Sequence, residues 1–418
     1  MTSAPKRTLL ENIRTGDFLD KARVRRIAVI YFVVTLLSLA ALLATSDGFR
    51  DQMGRPLGTD FMAFHVAGSI ALEEGGAAAF DAERQYARHQ QLLGEEQPDF
   101  WPYLYPPAFL FVAMGLAAMP YLAAWLVWMG ATLGAYVAAM RTIMPGGFAL
   151  FLAVAFPAVF SNFLHGQNGF LIAALFAGAL TSLFSKRMIL AGVLFGLISI
   201  KPQYGLLIPL ALAAASQWRA FAGAAASVIA LAAAPTFGFG AEVWAGFFET
   251  MRLARIEVME TGAIGFEKIQ SAFAQARMLG APIPLAYAIQ TLTSIAAGAM
   301  VFRLWRGGAR DEVKGAGLVI ASALATPYAV DYDLVVLAPA MALLIRDGLA
   351  RGFGPYEKTI LLFAAFAPVI ARPVGIATHL SMGLLAMLAL AAIALRRASM
   401  GNGNRVATER PTAVIPNP

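Results

Sequence analysis

Residues 27–46 read IAVIYFVVTLLSLAALLATS, twenty residues without a charge, directly after the basic cluster Lys21, Arg23, Arg25 and Arg26. A helix rises about 1.5 Å per residue, so this stretch matches the ~30 Å hydrocarbon core of a bilayer. The apolar core of a cleaved signal peptide is shorter, so the segment reads as an uncleaved signal-anchor. The basic flank places residues 1–26 in the cytoplasm.

The rest of the chain follows the same rule. Of 418 residues, 59% are hydrophobic and only 14% charged. Soluble domains carry about 25% charged residues, so the excess apolar surface calls for lipid as a solvent. Further apolar segments lie near 104–119, 121–140, 147–164, 168–185, 188–200, 203–217, 220–238, 283–303, 315–330, 334–346, 358–371 and 375–395. Several are shorter than the ~20 residues of a full span. Short or interrupted segments of this kind line cavities in working membrane proteins. The fold class expected is an all-α polytopic membrane protein of about 12 to 13 spanning or partly spanning helices over 27–397. A disordered cytoplasmic tail is expected over 398–418.

The net charge of +7 resides in short clusters between apolar runs: Lys186/Arg187, Arg303/Arg306/Arg310/Lys314 and Arg396/Arg397. This is the positive-inside pattern, and it excludes a nucleic-acid face, which would interleave aromatics with the cations. Absence of cysteine excludes disulfides, thiolate metal sites and a cysteine nucleophile. The location expected is the bacterial cytoplasmic membrane, with both termini inside. Parity then puts the polar stretches 47–103 and 239–282 outside, together with Gly166–Asn168, Lys201 and Asp331–Asp333. Segments 104–119 and 121–140 give one crossing too many, so one of them falls short of a span. The stretch WAGFFETMRLARIEVME in the second loop has helical apolar spacing and reads as a helix lying in the interface.

The polar residues at these outer turns carry the chemistry. Asp60, in Gly58-Thr59-Asp60-Phe61, opens FMAFHVAGSIALEEG, an expected amphipathic helix with Thr59 as a cap. An ionised carboxylate there can take a proton from a sugar hydroxyl; equally, Asp60 can simply cap the helix. Asp331 and Asp333 can orient an acceptor, act as acid and base, or sit in an ordinary acidic loop. A metal site is not expected, since no third ligand is near in sequence. Gln167 and Asn168 can hydrogen-bond a sugar or form a plain turn. Lys201 can bind a phosphate as a point charge or snorkel to the interface. Arg84, Arg88, Arg255, Lys268, Arg277 and Arg372 are further outer cations. No Walker A, G-x-G-x-x-G, H-E-x-x-H or G-x-S-x-G pattern occurs. A lipid-linked donor fits the lack of a nucleotide signature.

Taken in order, Gly58-Thr59-Asp60-Phe61, Phe80-Asp81, Tyr103-Leu104-Tyr105-Pro106-Pro107, Gly166-Gln167-Asn168, Gly192…Gly196…Lys201-Pro202-Gln203 and Thr326-Pro327 resemble glycosyltransferase family 87 over roughly 55 to 345. That is the polyprenol-phosphate-mannose-dependent family. The resemblance implies a GT-C-type helix bundle with interfacial helices in the first outer loop. It implies an inverting transfer of a hexose, mannose by family habit, from a polyprenyl-phosphate donor to an outer lipid or glycan, without a cofactor. The family's catalytic aspartate falls on Asp60. Lys201, Arg84 and Arg372 would hold the donor phosphate. Gln167, Asn168, Asp331, Asp333 and Tyr105 would contact sugar or acceptor. Some relatives carry Trp and His after the Thr-Pro pair; here Val330, Tyr332 and Asp333 stand there. Two other classes remain open at this stage: a transporter or flippase of a lipid-linked sugar, and a non-enzymatic assembly factor.

Overall fold

The computed structural model describes residues 8–94 and 99–408, with backbone only from 401 onward. Among the described residues the protein is all-helical, joined by turns and a few isolated bridges. Six helices among the described residues are long and apolar enough to cross a membrane: Lys21–Thr45, Tyr121–Ile143, Trp218–Phe239, Ile283–Arg306, Glu357–Thr378 and Met382–Met400. A seventh candidate is a pair, Gly147–Val154 and Pro157–His165, bent by 50°. Pro157 opens the second half; it has no N–H to continue the ladder and no room for the preceding helical turn.

The remaining apolar segments form shorter helices, among them Pro107–Ala117, Gly169–Phe184, Met188–Ile200 and Pro202–Ala214. Pro107–Ala117 holds two to three turns and falls well short of a bilayer, whereas Tyr121–Ile143 has span length. Helix also replaces the expected disorder over 398–408, since the last helix continues to Thr408; the part of that expectation covering 409–418 lies outside the described residues.

One close contact fixes the direction of the chain around Lys201. A Cβ on Gly192 would stand 2.2 Å from Ala220 O, and one on Gly196 would stand 2.6 Å from Ala224 O. Position advances together on both helices, so Met188–Leu197 and Trp218–Phe239 run parallel. The two glycines, four residues apart, let the backbones meet, as small residues do between membrane helices. The chain must return between them through Pro202–Ala214, which leaves Lys201 and Phe239 at the same end of the molecule.

That end gathers every turn assigned by parity to one side. Phe239 packs against Gly76, and Thr250 Oγ1 donates to Phe80 O at 3.1 Å, so the 47–103 and 239–282 stretches cover each other. Ile269 forms an antiparallel bridge with Val330, joining 239–282 to the loop before Asp331. The opposite end gathers the basic clusters. Arg310 and Arg397 both pair with buried Asp347, at 2.6 and 2.5 Å, and Arg396 pairs with buried Glu357 at 2.6 Å.

The first long loop departs from its sequence reading. Phe61–Glu74 is buried on nearly all sides, with Phe61, Met62, Phe64, Val66 and Ile70 at 0–1% exposure, so it is not an amphipathic surface helix. It inserts into the bundle against Leu110–Ala117, where Gly68 lies under the backbone of Ala113. A Cβ there would stand 2.1 Å from Ala113 O. Gly68→Ala is therefore expected to cost about 1–3 kcal/mol of stability by overpacking, read as a lower thermal-unfolding midpoint in detergent. Glu242–Ala254 does present an apolar face outward, with Phe248 at 63% exposure, and buries Val243, Phe247 and Thr250.

Candidate active site

The site is built on the turn His165-Gly166-Gln167-Asn168. The Pro157–His165 helix ends because Gly166 adopts φ +66°, the left-handed position that stops a helix. A side chain would not fit there in any case, since Phe61 Cβ would lie 2.5 Å from it. Asn162 then staples the turn: its Nδ2 donates to Gln167 O at 3.1 Å and its Oδ1 accepts from Gly169 N at 2.9 Å. The backbone of Asp60 docks on the same turn, donating to His165 O at 3.0 Å. Residues more than a hundred apart in sequence are thus registered by main-chain bonds.

The side chain of Gln167 is the hub. Its Nε2 donates to Asp60 Oδ2 at 2.8 Å and lies 3.3 Å from Tyr332 Oη. Its Oε1 accepts from Tyr105 Oη at 2.6 Å and from Asn168 N at 3.3 Å. Two donors on one oxygen fix which way the amide points, so the N–H faces the carboxylate. Phe64 packs behind this hub, 5.0 Å from both Tyr105 and Phe109.

Asp60 is the position before the Phe61–Glu74 helix, but its carboxylate does not cap it. Neither does Thr59, whose hydroxyl turns to Asp60 Oδ1 at 3.5 Å. The sequence expectation of a Thr59 cap, and the alternative of an Asp60 cap, both fail for one reason: Asp60 already has helical backbone angles, φ −78° and ψ −18°, so neither side chain reaches back to the first free N–H groups. The half-buried carboxylate points at Gln167 instead.

The two acidic residues of the second cluster separate. The short helical turn Asp331–Val336 sends Asp333 inward, at 2% exposure, where Oδ1 accepts from Lys201 Nζ at 2.5 Å and Oδ2 accepts from Val330 N at 3.2 Å. Lys201, at 5% exposure, also donates to Asn168 Oδ1 at 3.3 Å and lies over the rings of Tyr204 and Tyr332. It neither snorkels nor faces an open surface; a polar group taken into a helix bundle is tolerated where it is paired. Asp331 remains half-buried beside His165, whose ring centroid lies 5.1 Å from that of Tyr332. Desolvation pushes the Asp331 carboxyl above its ordinary range and Asp60 pushes the same way, against His165 and Lys268.

The phenols of Tyr105, Tyr328 and Tyr332 are all pushed up, first by burial and then by the charges of Asp60 and Asp333. They stay neutral donors around the carboxylates. Tyr328, Tyr332 and His165 were not singled out as site residues in the sequence reading; the signal available was that polar rings cluster in TPYAVDYD between two apolar runs.

Asp60, Tyr105, Gln167, Asn168, Lys201, Asp331 and Asp333 therefore meet in one place. Arg84 does not join them: it lies on Ala82–Leu93 and pairs with Glu74 and with Asp81. Arg372 is exposed on Glu357–Thr378, one turn before Gly375. No group of three His, Asp or Glu side chains able to hold a metal occurs among the described residues.

The geometry is that of a buried polar cluster around one available carboxylate at one end of a membrane bundle. No curated protein and no solved structure gives a significant match to the chain. The model of glycosyltransferase family 87 matches residues 103–327, a stretch that holds Tyr105, the Gln167–Asn168 turn and Lys201 and ends on Thr326-Pro327. Asp60 precedes the matched stretch, so its part rests on the geometry above. With more than half of its length matched, the chain belongs to glycosyltransferase family 87 and is a membrane glycosyltransferase.

Proposed function

We propose that the protein moves a hexose, mannose in the first instance, from a polyprenyl-phosphate donor to a lipid or glycan acceptor at the outer face of the cytoplasmic membrane, with inversion. The observation that carries this reading is the Asp60 carboxylate: its helix makes no use of it, and Gln167 aims it. Asp60 takes the proton from the acceptor hydroxyl as that oxygen bonds to the anomeric carbon. The bond from that carbon to the donor phosphate breaks, and the polyprenyl phosphate leaves with the electron pair. A phosphate is already a fair leaving group, so positioning and charge complementarity supply most of the rate. Asn168, Asp331 and the neutral phenol of Tyr105 contact the sugar or acceptor, and the exposed Arg372 supplies positive charge near the donor.

The test is transfer of radiolabel from polyprenyl-phosphate hexose to lipid or glycan fractions by the purified protein. Product formation supports the reading. Transfer from a nucleotide sugar alone overturns it, as does counterflow of the lipid-linked sugar in proteoliposomes without any new glycosidic bond.

Gln167 has a separate signature. Gln167→Leu keeps the volume and removes the N–H that holds Asp60, so the carboxylate is free to rotate away. Loss of alignment at a reacting group costs up to about 10²-fold, and the loss is expected in kcat rather than in KM. Unchanged kcat would remove Gln167 from the positioning role.

A further inference from the structure

The geometry points to Lys268 as the cation that receives the donor phosphate, an inference that rests on the lipid-phosphate reading of the donor. Its place is set by backbone pairing. Ile269 bridges Val330 antiparallel, and Gln270 N donates to Ala329 O at 2.6 Å. Antiparallel register then puts Lys268 opposite Asp331, at the mouth of the Asp60 cluster. The turn Phe266–Lys268 is pressed against Glu357–Thr378, with Glu267 Cβ standing where a Cβ on Gly375 would be only 3.0 Å away. Both sides of the residue are therefore held, while its own chain is half-buried and ends near Asp331.

Apart from Arg372, the cations that compete for this role at this end are engaged. Lys201 is bonded to Asp333 and Asn168. Arg84 and Arg88 pair with Glu74 and Glu73. Arg255 pairs with Glu260 at 3.7 Å, and Arg277 donates to Ala281 O and Glu260 O beneath the Phe266 ring. The Lys268 side chain makes neither a hydrogen bond nor an ion pair among the described residues, and its charge acts on Asp331 of the site. The exposed Arg372 flanks the same contact, one turn from Gly375.

The chemistry asks for a cation at that position. The donor is a phosphodiester with one negative charge. When its bond to the sugar breaks, the phosphate becomes a monoester and gains a second. A lysine ammonium is a compact charge on a flexible stem, suited to follow the phosphate as that charge develops. Its strongest contact is with the product, so binding of bare polyprenyl phosphate is the sensitive measure.

The experiment compares full-length wild type, Lys268→Gln and Lys268→Arg in detergent. Binding of polyprenyl phosphate is measured by intrinsic fluorescence titration, alongside kcat and KM for polyprenyl-phosphate hexose. Lys268→Gln is expected to weaken polyprenyl-phosphate binding by about ten- to a hundredfold and to lower kcat/KM, with Lys268→Arg recovering part of both. Thermal unfolding is expected to stay near wild type. A Lys268→Gln protein that binds polyprenyl phosphate as tightly as wild type overturns the assignment, even where transfer proceeds normally and the donor reading stands. Wild type that does not bind polyprenyl phosphate at all overturns both. Wild type that binds it without transferring sugar, with binding lost in Lys268→Gln, keeps the phosphate site and sinks the transfer reading alone.

Discussion

Asp60→Asn is expected to lower sugar transfer by about 10²–10⁴-fold while leaving the protein folded, the range a general base contributes. The fold should tolerate the change because the Asp60 carboxylate caps nothing and forms no ion pair within 4 Å among the described residues. Its one close side-chain partner beyond Thr59 is Gln167 Nε2, and the Asn Oδ1 can accept that bond in place of Oδ2. Local docking through Asp60 N and His165 O is a main-chain bond and survives. What disappears is the ability to hold the acceptor's proton. Transfer assays on donor-saturated enzyme, paired with thermal unfolding, separate the two roles. Full activity in Asp60→Asn assigns the base to another group, and Asp331 is then the first to test. A collapse in stability says instead that Asp60 serves the fold.

The membrane character was readable because it is one-dimensional. An uncharged run such as 27–46 needs no partner to declare itself, and Lys21–Thr45 is helical with no buried residue of its own. The relative direction of two segments was also readable, since alternation of basic clusters is a counting rule; the parallel contact of Gly192 and Gly196 with the Ala220–Ala224 turn agrees with that count. The inward position of Phe61–Glu74 was not readable. Its sequence has small and apolar residues all round, with polar ones near its C-terminal end, and a helix of that composition suits an interface or an interior equally. What decides is the partner surface, and the Ala113 carbonyl beneath Gly68 is 45 residues away. The candidate site was legible by residue and not by role. Asp60, Gln167, Lys201 and Asp333 all stand out as polar groups at apolar turns. That Gln167 serves Asp60, and that Lys201 serves Asp333 across 132 residues, is decided only when the turns meet.

That last pairing makes the sharpest stability prediction. Lys201→Met leaves Asp333, whose side chain is 1% exposed, as an uncompensated charge inside the bundle. Removing one partner of a buried ion pair costs about 3–5 kcal/mol, so a large drop in the unfolding midpoint is expected. The double variant Lys201→Met, Asp333→Asn removes both charges and keeps an oxygen to accept from Val330 N. Replacing both members of a buried pair by neutral groups is often close to isoenergetic, so most of the lost stability should return. The two variants together also decide between roles for the lysine. If Lys201 only balances Asp333, the double variant regains transfer along with stability. If Lys201 lets go of Asp333 to meet a donor phosphate, the double variant is stable and inactive, with KM for the lipid donor raised or kcat lost. The position of Nζ, 2.5 Å from a carboxylate and 3.3 Å from an amide oxygen under two tyrosine rings, favours the first outcome, because a phosphate would have to displace a buried opposite charge to compete.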